Sequence, residues 1–174
     1  TDRYPVEELT ADTPLEAKIR WVSEAEKAAA EYDGAIVKVT AQVADSLSTI
    51  QIATSDGRLL RDTRPMMRIS VTAVAERNGG RQIGISSGGG RIGNEYFRER
   101  MSAAGHGREA ARQAVLLLEA IDAPAGPMPL ILGPAESGVL LHESIGHPLE
   151  ADFIRKGTSA YRRAPGSNRP PAST

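Results

Sequence analysis

The fold is decided by residues 67–85, which read MRISVTAVAERNGGRQIGI. Apolar residues occupy alternate positions from Met67 to Ala75, which is the period-two pattern of a half-buried strand. The dipeptide Asn78-Gly79 is typical of a tight hairpin turn, and isoleucine returns at positions 83 and 85. The segment therefore predicts two strands that are joined antiparallel by a short turn.

Upstream of this segment, the sequence predicts a helix and two further strands. Residues 13–16, TPLE, read as a capping box with proline at the first helical position. Apolar residues at positions 15, 19 and 22 then recur at helical spacing, and Asp33-Gly34 ends the helix. Alternation over residues 37–43 predicts one strand, Ile50 and Ile52 mark another, and residues 55–57, SDG, form a turn.

Downstream, glycines 88–90 precede a second helix, predicted over residues 105–122 with its apolar face at positions 111, 115, 118 and 121. The glycines could cradle an anion, but they lack the lysine of a P-loop, which favours a strand-to-helix connection with positive φ. Residues 123–127, APAGP, read as a linker. A short buried strand is predicted at residues 130–132 and a helix over residues 137–150.

These elements predict an α+β fold, in which a mainly antiparallel sheet carries packed helices and is followed by the beginning of a second domain with the helix predicted over residues 137–150. We expect a first domain over residues 1–126, the start of a second over residues 127–161, and a disordered tail over residues 162–174. The tail is predicted because residues 164–174 show no apolar periodicity.

Composition excludes several classes of protein. The chain has 174 residues and a net charge of -1, which argues against a nucleic-acid partner because such proteins carry a basic face. No apolar run approaches the roughly 20 residues that a membrane span needs. Aromatic residues make up only 4%, so aliphatic side chains must fill the core. The chain has no cysteine, which is compatible with the predicted cytoplasmic location.

The residues that carry chemistry lie in the segment His142-Glu143-Ser144-Ile145-Gly146-His147. Neutral imidazoles suit a zinc ion, and a glutamate beside them can take a proton from water. The usual helical motif spaces its histidines four apart. Here the two histidines are five positions apart, which on a regular helix directs their side chains about 140° apart. They would converge only if Gly146 allowed a bulge or a helix end. Two unrelated polar residues near a helix end are the alternative interpretation.

The longer string over residues 137–153, SGVLLHESIGHPLEADF, resembles the TldD/PmbA family of metallopeptidases, some members of which are called modulators of DNA gyrase. The match is closest to the TldD branch, which carries H-E-x-x-x-H. Arg155 and residues 157–159, GTS, extend the resemblance, and residues 88–93 and 55–65 support it. The resemblance covers roughly residues 1–161 and implies an internal fragment of a longer chain.

The resemblance implies that His142 and His147 bind zinc, that Glu143 is the general base, and that the substrate is an extended peptide. It also implies a TldE/PmbA-type partner subunit. The family's third zinc ligand is a cysteine further along the chain, and this sequence contains none. We therefore expect weak zinc affinity and no activity from the isolated chain. The alternative is a non-catalytic module that binds peptides or serves assembly through an exposed sheet edge.

Several neighbouring residues are weaker candidates. Glu150 could accept a hydrogen bond from the N–H of a metal-binding imidazole, or it could replace the missing third ligand. The alternative is a carboxylate on the helix surface with no role at the metal. Asp152 and Arg155 are expected to pair and hold the loop after the metal motif. His106 is expected to be a solvated residue near a helix start.

Limited proteolysis tests the predicted organisation. We expect residues 123–127 to join two packing units, because proline ends the preceding helix, and we expect a protease to trim the tail first, because the tail lacks apolar residues to bury. Mass spectrometry of the early fragments identifies the cut sites. Strong amide-exchange protection across the tail would contradict the prediction.

Overall fold

The computed structural model describes residues 5–133 and 136–161, which divide into two compact units, one ending at Asp122 and the other beginning at Ala123. The first unit holds the sheet and three α-helices, and the second holds a series of short helical segments. The strands and α-helices, in chain order, are α1 (Leu15–Ala30), β1 (Ile36–Ala53), β2 (Leu59–Arg77), β3 (Gly80–Gly90), α2 (Tyr96–Glu99), α3 (Ala103–Leu117), α4 (Glu136–Leu141) and α5 (Ala151–Lys156).

The three strands form one antiparallel sheet in the order β1-β2-β3. The predicted hairpin is confirmed, since Arg77 pairs with Gly80 and both turn residues have positive φ, 53° at Asn78 and 79° at Gly79. These are the backbone angles of the tight turn whose twist matches that of the flanking strands. Because helices pack on this sheet and a helix follows the sheet unit, the predicted α+β class is confirmed.

The two strands predicted at residues 37–43 and 50–52 are a single strand. β1 pairs with β2 without interruption from Lys38 to Ala53. The polar residues between the two apolar patterns do not end the strand, because their backbone hydrogen bonds to β2 continue. The prediction of two strands was therefore wrong, since side-chain periodicity reports burial and not backbone pairing.

The core lies on the face of β2 that carries its alternating apolar residues. This face holds fully buried side chains at Met67, Ile69, Val71, Ala73 and Ala75. On β3 the buried positions are Gly84 and Ser86, whereas Ile83 and Ile85 are 52% and 55% exposed. The pairing of Thr72 with Ile85 fixes this register and turns both isoleucines to the opposite face of the sheet.

Helices α1 and α3 pack closely because small residues line their contact. The two helices carry buried alanines, Ala25 and Ala29 on α1 and Ala110, Ala111 and Ala114 on α3. A Cβ added at Gly107 would lie 2.0 Å from the Ala25 carbonyl oxygen, and one at Gly84 would lie 2.1 Å from the Ala110 carbonyl oxygen. Glycine is therefore required at both contacts, and this close packing explains how a chain with few aromatic residues forms a dense core.

The helix ends differ from the predictions. The capping box does not form, since the Thr13 hydroxyl accepts a hydrogen bond from Asn94 at 2.7 Å and contacts the Leu9 carbonyl. Helix α1 ends at Ala30, before Asp33-Gly34, and its residues Leu15 and Ile19 are exposed. Helix α3 begins after an N-cap at Ser102 and ends at Leu117, which leaves the predicted core residue 121 outside the helix and 93% exposed.

Gly88, Gly89 and Gly90 end strand β3 and do not form a separate connection to a helix. The predicted positive φ is present at Gly89 and Gly90.

The second unit lacks one predicted element. Residues 130–132 form no strand and are at least half exposed, because no described strand lies beside them. The helix predicted over residues 137–150 is present but interrupted, as the next section describes. The tail lies outside the described residues, and the domain limits at residues 126 and 161 remain predictions. No described helix is long and apolar enough to cross a membrane.

His106 is buried, with 2% of its surface exposed, so the prediction of a solvated residue was wrong. Its Nδ1 lies 2.8 Å from the Ser86 hydroxyl and its Nε2 lies 2.9 Å from the Tyr96 hydroxyl. The Tyr96 ring also stacks on the imidazole, with centroids 5.9 Å apart. Burial lowers the pKa of His106 below its ordinary value of 6.5, since a charged ring would lose its hydration.

This burial predicts that acid weakens the fold. Above about pH 6.5 the imidazole is neutral in both states, whereas below it the unfolded chain takes up a proton that the folded chain does not. The free energy of unfolding should fall by up to about 1.4 kcal/mol per pH unit down to the lowered folded-state pKa of His106. Urea unfolding at a series of pH values between 7 and 5 measures this fall in the free energy of unfolding. His106→Gln, which cannot titrate, should show a smaller fall, and an equal fall would contradict the prediction.

Candidate metal centre

The metal motif lies on one turn of π-helix. Helix α4 ends at Leu141, and residues His142–Gly146 then form a turn in which the His147 N–H donates to the His142 carbonyl. This hydrogen bond joins residues five apart, whereas an α-helix joins residues four apart. The extra residue in the turn places the second histidine above the first, which removes the splaying that five-residue spacing causes on a regular helix.

The side chains of His142, Glu143 and His147 converge. The two imidazole centroids are 4.5 Å apart with the rings near perpendicular, at 74°. One ligand atom from each of the three residues lies within 4.8 Å of the others. All three residues are exposed, and among the described residues this is the group of three that could hold a metal ion.

His147 is held by carboxylates on both sides of its ring. Its Nδ1 contacts the Glu150 carboxylate, and its Nε2 lies 3.7 Å from the Glu143 carboxylate. The hydrogen bond with Glu150 raises the pKa of His147 above its ordinary value. When the ring is neutral, a proton on Nδ1 donates to Glu150, which leaves the Nε2 lone pair directed away from Glu150 and free for a metal.

The turn after the motif is a 3₁₀ helix, His147–Leu149, followed by α5. Glu150 precedes α5 as its N-cap residue, and Asp152 contacts the Lys156 ammonium group at 3.4 Å. The predicted pairing of Asp152 with Arg155 is therefore replaced by an i,i+4 pair on the helix surface, where such pairs are neighbours.

A cavity of about 240 Å³ opens beside Glu143 and His147. The residues lining it are Glu143, His147, Pro148, Phe153, Thr158, Ser159 and Ala160. The carboxylate and the imidazole share this lining with apolar and hydroxyl side chains, which gives a polar centre with room for a ligand group.

The residues present suit a zinc ion. Imidazole nitrogens are ligands that zinc takes in catalytic proteins, and the carboxylate of Glu143 beside them can take a proton from water. The carboxylate of Glu150 on the far nitrogen of His147 has the arrangement that orients metal-binding histidines. Residues 123–133 and 136–161 contain no other group of three histidine or acidic side chains this close.

The family model of the PmbA/TldA metallopeptidase central domain matches residues 8–118. The chain belongs to the PmbA/TldD family. The match spans the sheet unit, whereas the metal motif lies after it. The match to the family model therefore does not depend on the histidines of the motif.

Relatives of this PmbA/TldD chain include proteins from a bacterium and an archaeon. The metalloprotease TldD homolog of Haemophilus influenzae is 38% identical over 166 residues, which cover 90% of this chain and 34% of the relative. A metalloprotease of Methanothermobacter thermautotrophicus is 35% identical, covering 86% of this chain and 32% of the relative. The chain thus spans about one third of the length of these relatives.

A solved structure shares the fold. A Thermotoga maritima protein described as a modulator of DNA gyrase matches 94% of this chain and 36% of its own, with a TM-score of 0.76 and 18% identity. At that identity the likeness establishes the fold alone.

The sequence analysis did not predict the burial of His106 or of Ser159. His106 lies four residues before the buried Ala110 and three after the buried Ala103, so its helical spacing could have placed it on the apolar face of α3. Ser159 is only 5% exposed and contacts Pro148, eleven residues earlier. No periodicity relates positions so far apart, so no sequence signal could have found that contact.

Removal of the carboxylate beside His147 tests the site. Glu150→Gln should weaken zinc binding about tenfold to a hundredfold, because the amide orients the imidazole less firmly and withdraws the negative charge from its N–H. Isothermal titration with zinc at pH 8 measures the affinity. Asp152→Asn, which likewise replaces a carboxylate by its amide and lies on the surface of α5 beside Lys156, is the matched control and should leave the affinity unchanged. Equal affinity in both variants would contradict the arrangement.

Proposed function

We propose that this chain carries the metal centre of a zinc-dependent peptidase of the TldD type, in which His142 and His147 bind zinc and Glu143 is the general base. The observation that carries the proposal is the π-turn, because it brings these three side chains within 4.8 Å of one another. The names of the metalloprotease relatives support the same chemistry.

Bound zinc would polarise a scissile carbonyl and lower the pKa of water to about 7. The chain's own residues then have separate tasks. His147 presents Nε2 while Glu150 holds its Nδ1. The Glu143 carboxylate accepts the proton of the attacking water at a carboxylate oxygen and returns it to the leaving amine. Glu143 is 63% exposed in its side chain, so water reaches it freely.

The substrate class that we propose is a peptide or an unfolded chain, bound in extended form. We propose further that the segment works within a longer chain, since it spans one third of its relatives, and that a TldE/PmbA-type subunit is its partner. A site with two histidines and an exposed glutamate lacks the third strong ligand of a closed zinc centre. The isolated chain should therefore bind zinc weakly and be inactive, and a cytoplasmic location belongs to the same proposal.

Replacement of the proposed base tests the mechanism. In a full-length protein that contains this segment, Glu143→Gln should abolish peptide hydrolysis and leave zinc bound. Glutamine has nearly the same shape but cannot accept the proton, and the imidazoles are unchanged. Hydrolysis of a quenched fluorescent peptide and metal analysis by mass spectrometry give the two readouts.

His142→Ala is the matched comparison, because it removes a ligand and should lose both zinc and activity. If Glu143→Gln retains near-normal turnover, Glu143 is not the base. If it loses zinc as fully as His142→Ala, the carboxylate is a ligand and another residue must take the proton. Both results would change the assignment of roles.

A second candidate function is a non-catalytic module that binds an extended peptide or serves assembly. The observation that favours it is the edge of β1, whose 18 residues include two charged side chains, Lys38 and Asp45, and neither proline nor glycine. Among the described residues no strand pairs with this edge, and such long, weakly charged edges accept further strands. Peptide binding that survives His142→Ala would favour this candidate.

A further inference from the structure

Ser159 is the one buried residue among those described in the second unit. It is 5% exposed, whereas the helical segments around it are mostly exposed. Its hydroxyl donates to the Pro148 carbonyl oxygen and accepts a hydrogen bond from the Tyr161 N–H at 3.0 Å. Both capacities of the hydroxyl are used, so the side chain has one defined position.

The local fold brings Ser159 back to the metal motif. Helix α5 ends at Lys156, and the next residue, Gly157, has a φ of 76° and reverses the chain. The Thr158 N–H then donates to the Phe153 carbonyl at 3.1 Å, which closes the helix end. This reversal places Ser159 beside the residue that immediately follows His147, at the wall of the cavity that Glu143 and His147 also line.

The 3₁₀ helix that carries His147 has few other restraints. On one side the His147 N–H donates to the His142 carbonyl, and on the other the Glu150 N–H donates to the His147 carbonyl at 3.0 Å. Pro148 has no N–H of its own, so its carbonyl is the only backbone hydrogen-bonding group it offers. The hydroxyl of Ser159 is the contact that ties this carbonyl to the rest of the described unit.

We propose that Ser159 is a positioning residue of the metal centre, which fixes the backbone of His147 through the Pro148 carbonyl. The proposal rests on the proposed zinc site and adds to it a residue that touches neither metal nor substrate. A histidine held at its backbone on both sides and at its ring by Glu150 loses little freedom when it binds a metal. Loss of one of these restraints should therefore weaken binding without removing a ligand.

The experiment compares two serine hydroxyls. Ser159→Ala removes the link to Pro148. Ser137→Ala is the matched control, because the Ser137 hydroxyl lies on α4 outside the motif, contacts the Gly133 carbonyl and does not line the cavity. Titration of each chain with zinc should show about a tenfold loss of affinity in Ser159→Ala and no change in Ser137→Ala. Ser159→Thr keeps the hydroxyl and should restore part of the affinity.

Two further readouts separate positioning from general support of the fold. Cobalt bound in place of zinc should give a changed visible spectrum in Ser159→Ala, because one imidazole is less firmly held. Amide exchange should accelerate at His147 and Glu150 and remain unchanged in α4. Faster exchange throughout α4 and α5 would show that Ser159 supports the unit as a whole and would overturn the proposal.

The outcomes also distinguish this proposal from the proposed function. If the unaltered chain binds neither zinc nor cobalt, the metal centre itself fails and the role of Ser159 fails with it. If the unaltered chain and Ser159→Ala bind zinc equally, with the same cobalt spectrum, the metal centre stands and the positioning role is wrong.

Discussion

The hydrogen bond from the His147 N–H to the His142 carbonyl is the constraint on which the proposed metal centre depends. With the usual i→i−4 bond, the two imidazoles would point about 140° apart around the helix. One inserted residue closes that angle and brings the ring centroids to 4.5 Å. Single π-turns of this kind are rare and recur at functional sites, and Gly146 lies inside this turn.

The carboxylates around His147 take different positions because of the same turn. Glu143 lies on the Nε2 side of the ring and Glu150 on the Nδ1 side. This arrangement separates the residue proposed to move a proton from the residue that orients the ring. The return of the chain at Gly157 then adds a backbone restraint through Ser159. The site is therefore assembled from about twenty consecutive residues, and its chemistry follows from local helix geometry.

The sheet unit is stabilised by close packing of small residues. Its two long helices contact each other through alanine and glycine. The imidazole of His106 lies beside β3 and forms hydrogen bonds with two hydroxyls. A polar group in that place is tolerated because both ring nitrogens have partners, and its neutral form is the one that the core accepts. The family model matches this unit, which has no recognised catalytic group, whereas the metalloprotease relatives match most of the chain.

The sequence by itself determined the class of fold and the hairpin at Asn78-Gly79, and it proposed the three residues of the metal motif, because turn chemistry and residue types at short spacing are local properties. It could not determine what depends on pairing and packing. The sequence pattern divided β1 into two strands and placed His106 in solvent, whereas in the fold β1 is continuous and His106 is buried. The register with β2 decided that Ile83 and Ile85 lie on the exposed face. Only the folded chain decided that five-residue spacing brings His142 and His147 together, since that required an i→i+5 bond. The contact of Ser159 with Pro148 likewise depends on a chain reversal, which no periodicity in the sequence records.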